Sequence, residues 1–296
     1  MIIDIHAHMG YYKIFPESFI TGMFNDNNAG INKEKLIKLL TLFMRDDKCD
    51  QHIKQMDKAG IDHSVLLIVD GEYGLGKPEL DIEDIYKLHY EVTLRHKNRL
   101  SVFCGIDPRR GKKGLELVKK GIEKFGFEGL KLYPPMGFNI DDENLYPFIE
   151  ICRSYKLPVL YHTGSSLNSL NTEYANPEQI IKIAEKFPEV NFILAHAGYR
   201  IQNEGIRNIS KIDNVYLDIS GFHAIQDFQL ELTANNFDDI FSDEFNTKIL
   251  FGTDWPLFNL LNPLSNPVNM LKKAAGNNLS ALDNILYKNA LKILKR

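Results

Sequence analysis

The chain has 296 residues, 44% hydrophobic and 25% charged, an ordinary globular composition that excludes disorder and is long enough for one α/β barrel with a large core. Lys and Arg total 35 against 39 Asp and Glu, a formal charge of -4; that balance gives no electrostatic footprint for nucleic acid or an anionic membrane. Three scattered cysteines, Cys49, Cys104 and Cys152, cannot build a disulfide framework, so reduced thiols in a cytoplasmic protein are expected.

The N-terminus, Met1-Ile2-Ile3-Asp4-Ile5-His6, lacks the basic start of a signal peptide. The longest apolar runs span six or seven residues, far below the roughly 20 that cross a bilayer. Eight short apolar, β-branched runs recur along the chain: Ile2–Ile5, Ser64–Val69, Leu100–Ile106, Gly129–Tyr133, Pro158–Tyr161, Asn191–Ala195, Val215–Ile219 and Lys248–Phe251. Continuous apolar character in so short a run suits a parallel strand covered on both faces. Helical periodicity fills the intervals, over Ile31–Gly60, Asp81–Lys97, Gly114–Phe125, Asp142–Tyr155, Asn176–Phe187 and Leu282–Leu294. Weaker signals lie at Arg200–Ile212 and Ile225–Phe241, and Asn176-Pro177 and Asn262-Pro263 read as helix starts. No linker or low-complexity tract divides residues 1–296, so one domain is expected.

Alternating strands and helices can close into a barrel or remain an open doubly wound sheet. The open sheet that binds a dinucleotide shows GxGxxG after its first strand. The only glycine-rich stretch, Gly71-Glu72-Tyr73-Gly74-Leu75-Gly76-Lys77, follows the second run and lacks that spacing. Polar residues instead collect at the ends of many strands, as in a single (β/α)8 TIM barrel with its site at the C-terminal rim. A long loop after strand 1 completes the expected fold.

The first run ends Asp4-Ile5-His6-Ala7-His8. Strand alternation points His6 and His8 to one side, about 7 Å apart. Alone, the pair fits two satisfied interior histidines as well as a metal site. Three later run ends add His162 in Tyr161-His162-Thr163-Gly164, His196 in Ala195-His196-Ala197-Gly198, and Asp254 in Gly252-Thr253-Asp254-Trp255-Pro256. A carboxylate or imidazole ending a buried apolar strand costs several kcal/mol unless it is paired or metal-bound. Histidines with a carboxylate suit zinc, with manganese or iron as alternatives.

These motifs, with Gly129-Leu130-Lys131-Leu132-Tyr133-Pro134 and the Asn289-Ala290 tail, resemble the amidohydrolase superfamily in its family 2 branch of metal-dependent TIM barrels. The resemblance spans essentially the whole chain. It implies that His6, His8, His162 and Asp254 hold one divalent ion, most simply Zn2+, and that Asp254 and His196 are catalytic. It implies a metal-activated water acting on a C–N or C–O bond, as in amide or lactone hydrolysis, with nonoxidative decarboxylation as the alternative. In binuclear members of the superfamily a lysine at the end of the fourth strand is carboxylated and bridges two ions. Lys131 stands there; a substrate contact or a carboxylate partner is the other reading, and one ion is expected. A TatD-like nuclease would favour a glutamate in that place and a more basic groove, and a barrel that binds without turnover would not need both His196 and Asp254.

Arg109 and Arg200, each just past a run end, are candidates to clamp a substrate carboxylate through paired hydrogen bonds, with solvated turns as the alternative. Asp218 and Ser220 end the seventh run and are candidates to orient the site, with a buried hydrogen-bonding role as the equal alternative. Tyr11, Tyr12, Phe15, Phe19 and Phe24 offer an apolar lid. His52, His89 and His96 are expected on helix surfaces, His63 at the far end of the barrel, and His223 as a weak candidate. The expected partner is a small-molecule substrate, not nucleic acid or membrane, with a homodimer left open.

Overall fold

A computed structural model describes residues 1–22, 33–201, 203–222, 239–258 and 263–294. All eight expected runs form strands: β1 Ile3–Ala7, β2 His63–Leu67, β3 Leu100–Gly105, β4 Gly129–Leu132, β5 Val159–Tyr161, β6 Phe192–Leu194, β7 Val215–Asp218 and β8 Ile249–Leu250. They pair in parallel in sequence order. Backbone bonds from Ile5 N to Phe251 O at 2.9 Å and from His8 N to Trp255 O at 2.6 Å close the eighth segment on the first. The result is a TIM barrel.

Most strands divide their residues between two apolar regions. Ile3, Ile5, Val65, Leu67, Phe103, Leu160, Ile193 and Leu250 fill the interior, joined by Ala290, Ile293 and Leu294 of the last helix, Asn289–Leu294. Their neighbours Leu66, Val102, Leu130, Val159, Phe192 and Leu217 face the surrounding helices. β1 breaks this alternation. Its register to β2 runs Ile3↔His63, Asp4↔Ser64 and then Ala7↔Leu66, so β1 has one residue more than its partner between these points. A bulge of that kind re-aims the side chains beyond it. Ile3 and Ile5 face inward, and His6 and His8 still reach one site because the extra residue lies between Asp4 and Ala7.

The helical expectation over Ile31–Gly60 resolves into two helices, Lys33–Phe43 and Asp50–Ala59. Cys49, in a left-handed conformation (φ 55°), precedes the second. The long segment after β1 is partly helical, with Glu17–Gly22 adding another helix. Asn176 caps the turn Pro177–Gln179 through the Glu178 amide, as read from the sequence. Helix Glu204–Ser210 answers the signal near Arg200–Ile212. Most of Ile225–Phe241, together with Asn262, Phe24 and His223, lies outside the described residues. The three cysteines are free and buried. Among the described residues, no helix is long and apolar enough to cross a membrane.

Two of the three histidines expected on helix surfaces are core residues. His52 and His89 are fully buried. Amphipathic periodicity places both on the inner faces of their helices, and the polarity of imidazole hid this. His89 Nδ1 donates to the Ile85 carbonyl at 2.7 Å. His52 stacks on Trp255 with centroids 5.3 Å apart, and neither of its ring nitrogens has a hydrogen-bond partner. Burial pushes His52 down to about 3 and His89 to about 4.

Each therefore stays neutral in the fold while its unfolded counterpart takes a proton below pH 6.5. Stability drops as pH falls, by about 1.4 kcal/mol per pH unit and histidine, until the folded pKa is reached. His52→Phe keeps the stacked ring and removes two unsatisfied nitrogens. The variant is expected to melt at or above the wild-type temperature at pH 7, and to lose less stability between pH 6 and pH 4. Thermal melts across that range check both; an unchanged acid slope would contradict the assignment.

Candidate active site

The site lies where the strands end. A cleft holding about 590 Å3 of open space is lined by His6, His8, His162, His196 and Asp254, with Phe15, Phe19, Met44, Val69, Tyr133, Pro256 and Leu257. Five residues read from the sequence as metal ligands or catalytic groups thus meet in one cavity. The elements that deliver them are β1, β5, β6 and β8, or the residues directly following. Gly252 makes the approach possible, because a Cβ there would lie 2.9 Å from His6 Cβ and 3.0 Å from Ser220 Cβ.

His6 Nε2 and His8 Nε2 converge on one carboxylate oxygen, Asp254 Oδ1, at 3.4 and 3.2 Å. The other ring nitrogens are already committed. His6 Nδ1 donates to Asp218 Oδ2 at 2.8 Å, and His8 Nδ1 donates to the Leu67 carbonyl at 2.8 Å. Acceptors at Nδ1 fix the tautomer, so both Nε2 atoms present lone pairs. Burial pushes His6 down to about 4, against the pull of Asp218, and its Nε2 is unprotonated at neutral pH. Two lone pairs facing a carboxylate oxygen repel unless a cation lies among them. Ligand bonds of roughly 2.0–2.2 Å at a tetrahedral centre separate neighbouring ligand atoms by roughly 3.3–3.6 Å. The donor set therefore fits a divalent ion.

A second group within 4.8 Å, His6, His196 and Asp218, is explained by hydrogen bonds alone. Asp218 Oδ1 accepts from the His196 amide at 2.9 Å, the Ser220 amide at 3.0 Å and the Ser220 hydroxyl at 2.5 Å. Burial would raise the Asp218 carboxyl, but His6, His196 and Ser220 outweigh it and hold it well below the usual range. His196 Nδ1 donates to the Ser220 carbonyl at 3.0 Å, which leaves Nε2 as an acceptor. Asp254 differs from Asp218: burial opposes its charge, and its carboxyl is held well below the ordinary carboxylate range only by positive charge beside it, from protonated His6, His8 and His196 or from a cation in their place.

His196 and Asp254 share a rarer property. Their φ angles are 59° and 56°, the left-handed region that side-chain-bearing residues seldom occupy. Such backbone persists where surrounding bonds over-determine it, and it clusters at active sites.

The remaining sequence candidates separate. His162 lines the cavity and stacks on Tyr133 at 4.1 Å, but Nε2 meets the Ser165 carbonyl at 3.0 Å and the ring is outside the tight His6–His8–Asp254 group. Burial drives it well below its ordinary pKa. Lys131 does not line the cavity. Its Nζ is buried without a hydrogen-bond partner, 5.8 Å from the Tyr133 ring, and burial pushes it down to about 8 against Asp218 and Asp254. Arg109 is also away from the wall: its guanidinium grips Asp107 at 2.8 and 2.6 Å and the Met136 carbonyl at 2.7 Å. A substrate clamp at Arg109 is corrected on that ground, since the guanidinium edge is already occupied. Arg200 packs over Gly164, where a Cβ would lie 2.9 Å from Nη1, and it too is outside the lining. Of the aromatic segment, Phe15 and Phe19 reach the cavity and stack on each other at 5.1 Å, whereas Tyr11 and Tyr12 do not line it. Sequence reasoning missed Tyr133, Met44, Val69 and Leu257; only Tyr133, one residue past β4, carried a positional signal. His63 lies at the start of β2, bonded to Asn98 and Ser101 and away from this cavity.

A family model described as Amidohydrolase matches residues 3–296. The chain belongs to the amidohydrolase family. Among solved structures, this amidohydrolase is similar to the 5-carboxyvanillate decarboxylase LigW from Sphingomonas paucimobilis, at 11% identity, covering 99% of this chain and 98% of that one with a TM-score of 0.70. It is similar also to a dihydroxybenzoic acid decarboxylase from Polaromonas sp. JS666, solved with bound manganese and the inhibitor 2-nitroresorcinol: 16% identity, 99% and 96% coverage, TM-score 0.68. Protein fluG of Emericella nidulans is 28% identical over 103 residues, 34% of this chain. This chain spans 11% of that relative's length.

Asp218→Asn keeps the shape but offers an amide in place of a carboxylate to His6 Nδ1. Removing such a partner behind a metal-ligating histidine typically weakens binding 10–100-fold. Zinc titration of the metal-free protein is expected to show a loss of about that size, and unchanged affinity would separate Asp218 from the ligand set.

Proposed function

We propose that this amidohydrolase is a metal-dependent carboxy-lyase that removes carbon dioxide from a small, flat carboxylated substrate. The observation that carries this reading is the chemistry of the cavity wall. Among the described residues it offers no Arg or Lys, only imidazoles, one carboxylate and apolar or aromatic side chains. A substrate anion would be met only at the ion, which His6, His8 and Asp254 would hold, with His162 joining them only if its Nε2 gave up the Ser165 carbonyl. Phe15, Phe19, Tyr133 and Leu257 suit a ring. The two similar structures named above are decarboxylases of aromatic acids, which supports the same choice over amide or lactone hydrolysis.

Bound there, a divalent ion supplies Lewis acidity and orients the oxygens of the substrate. Mn2+ is as consistent with this reading as Zn2+. The chain's own groups handle the proton. Loss of carbon dioxide breaks one C–C bond and forms one C–H bond: an anionic R–COO− and one proton give R–H and CO2. Asp254, ionised at neutral pH, accepts a proton from water or a substrate hydroxyl and returns it to the substrate carbon as the C–C bond breaks. His196, its Nδ1 tied to Ser220, directs Nε2 at the same space and steadies the charge that develops. The apolar wall excludes water from the carbon that takes the proton. One ion is enough for this chemistry, and Lys131 acts as the buried counter-charge to Asp218 and Asp254.

A panel of aromatic and unsaturated carboxylates, lactones and amides, followed by carbon dioxide release and by ester or amide cleavage, tests the reading. Decarboxylation of at least one hydroxylated aromatic acid is expected, faster than any hydrolysis. Asp254→Asn, confirmed to be folded and metal-loaded, is expected to lose at least about 10²-fold in kcat. Hydrolysis of a lactone or amide with no carboxylate consumed would replace this reading by the hydrolytic one.

A further inference from the structure

Asp4 opens the motif that supplies His6 and His8, yet its side chain is on the other face of β1 and never enters the cavity. It is fully buried. Four donors surround its two oxygens. Oδ1 accepts from the His6 amide at 3.1 Å and the Thr253 amide at 3.0 Å. Oδ2 accepts from the Thr253 hydroxyl at 2.6 Å and the Ser64 hydroxyl at 3.3 Å. Thr253 Oγ1 in turn accepts from the Trp255 amide at 3.2 Å. One carboxylate therefore holds the bulged residue of β1 and, through Thr253, both neighbours of Asp254.

The placement matters because these are the two least regular points of the barrel. The bulge that turns His6 inward lies between Asp4 and Ala7, and Asp254 has a left-handed backbone. The seam between the first and eighth segments is otherwise held by backbone bonds alone: Ile5 N to Phe251 O at 2.9 Å, the Thr253 and Asp254 amides to the His6 carbonyl at 3.2 and 2.8 Å, and His8 N to Trp255 O at 2.6 Å. Small rotations at either point would separate His6 Nε2 and His8 Nε2 from Asp254 Oδ1. A bulge without its anchor, or a left-handed residue without flanking bonds, relaxes toward ordinary geometry.

We infer that Asp4 is a positioning residue for the metal centre: its carboxylate clamps the β1 bulge to Thr253 and thereby fixes the spacing of His6, His8 and Asp254. The inference rests on the metal-dependent reading above.

Cobalt(II) titration of the metal-free protein, followed by its visible absorption, reads both affinity and ligand geometry without any substrate. Asp4→Asn is expected to bind cobalt about 10–100-fold more weakly, the scale for supports behind metal ligands, with a changed band shape. Thr253→Val, which keeps the shape and removes the relay hydroxyl, is expected to do the same, and Thr253→Ser to restore affinity to within about threefold. Ser64→Ala, which touches Asp4 away from the seam, is expected to leave it unchanged. A purely structural role would lower the melting temperature of Asp4→Asn and Thr253→Val while leaving the cobalt dissociation constant and spectrum of the folded variants as in wild type; that result overturns the inference. Should Asp4→Asn fail to fold, the Thr253 pair decides alone. Wild-type protein that takes up no cobalt would overturn the metal reading itself.

Discussion

Two carboxylates without solvent, Asp218 and Asp254, govern the arrangement at the mouth of this barrel. Both end or follow strands whose other residues are apolar, and burial alone would drive each toward its neutral form. At Asp218 the His6 ring N–H and the His196 and Ser220 amides reverse that tendency; at Asp254 that role falls to a cation. His6 serves both carboxylates, donating through Nδ1 to Asp218 and turning Nε2 toward Asp254. Because one ring bridges the two anions, its orientation is not free, and neither is the tautomer. Lys131 adds a buried positive group beneath them, with no hydrogen bond of its own. The remaining imbalance, lone pairs from two histidines aimed at one carboxylate oxygen, is the physical reason for a cation.

The same constraint explains where irregular backbone occurs. His196 and Asp254 take left-handed φ values at positions where the chain leaves a strand. At His196 the amide is held by Asp218 and the ring by the Ser220 carbonyl. At Asp254 the amide is held by the His6 carbonyl. Each unusual residue is fixed by the element that carries another member of the site. The constellation is therefore built across β1, β7 and β8 jointly, and a loop alone would not hold it to fractions of an ångström.

How much of this could be read beforehand differs by level. Strand positions were legible because parallel strands buried on both faces must be continuously apolar, as in Leu100–Ile106 and Asn191–Ala195. The site was legible at His6, His8, His162, His196 and Asp254 because polar groups stand out at the ends of such runs. The β1 bulge was not. Strict alternation would turn His6 outward if Ile3 and Ile5 face in, and nothing in Asp4-Ile5-His6-Ala7-His8 announces an extra residue opposite β2. Nor was the burial of His52 and His89, whose polarity masks their place on the inner helix faces. Arg109 was misplaced for a different reason. Its partner Asp107 is only two residues away, and in sequence a local ion pair looks the same as an available cation.

The correction at Arg109 bears on specificity. Arg109 and Arg110 both lie over Tyr73, at 5.1 and 5.4 Å from its ring, and Arg110 grips Asp70 through two bonds of 2.6 and 2.8 Å. These cations tie the segments after β2 and β3 to each other. With them occupied, the proposed substrate acid would be recognised at the floor of the cleft rather than at the rim. A rim arginine would bind any carboxylate that reached it, whereas a metal centre beneath apolar walls selects for acids whose remaining surface can leave water. Phe15 and Phe19, stacked on each other, and Tyr133, stacked on His162, provide that surface. Affinity for the apolar body and orientation of the acid group are thus supplied by different parts of the site. On the carboxy-lyase reading proposed above, binding energy from the ring would be used to desolvate the carboxylate, the step that favours its departure as neutral carbon dioxide.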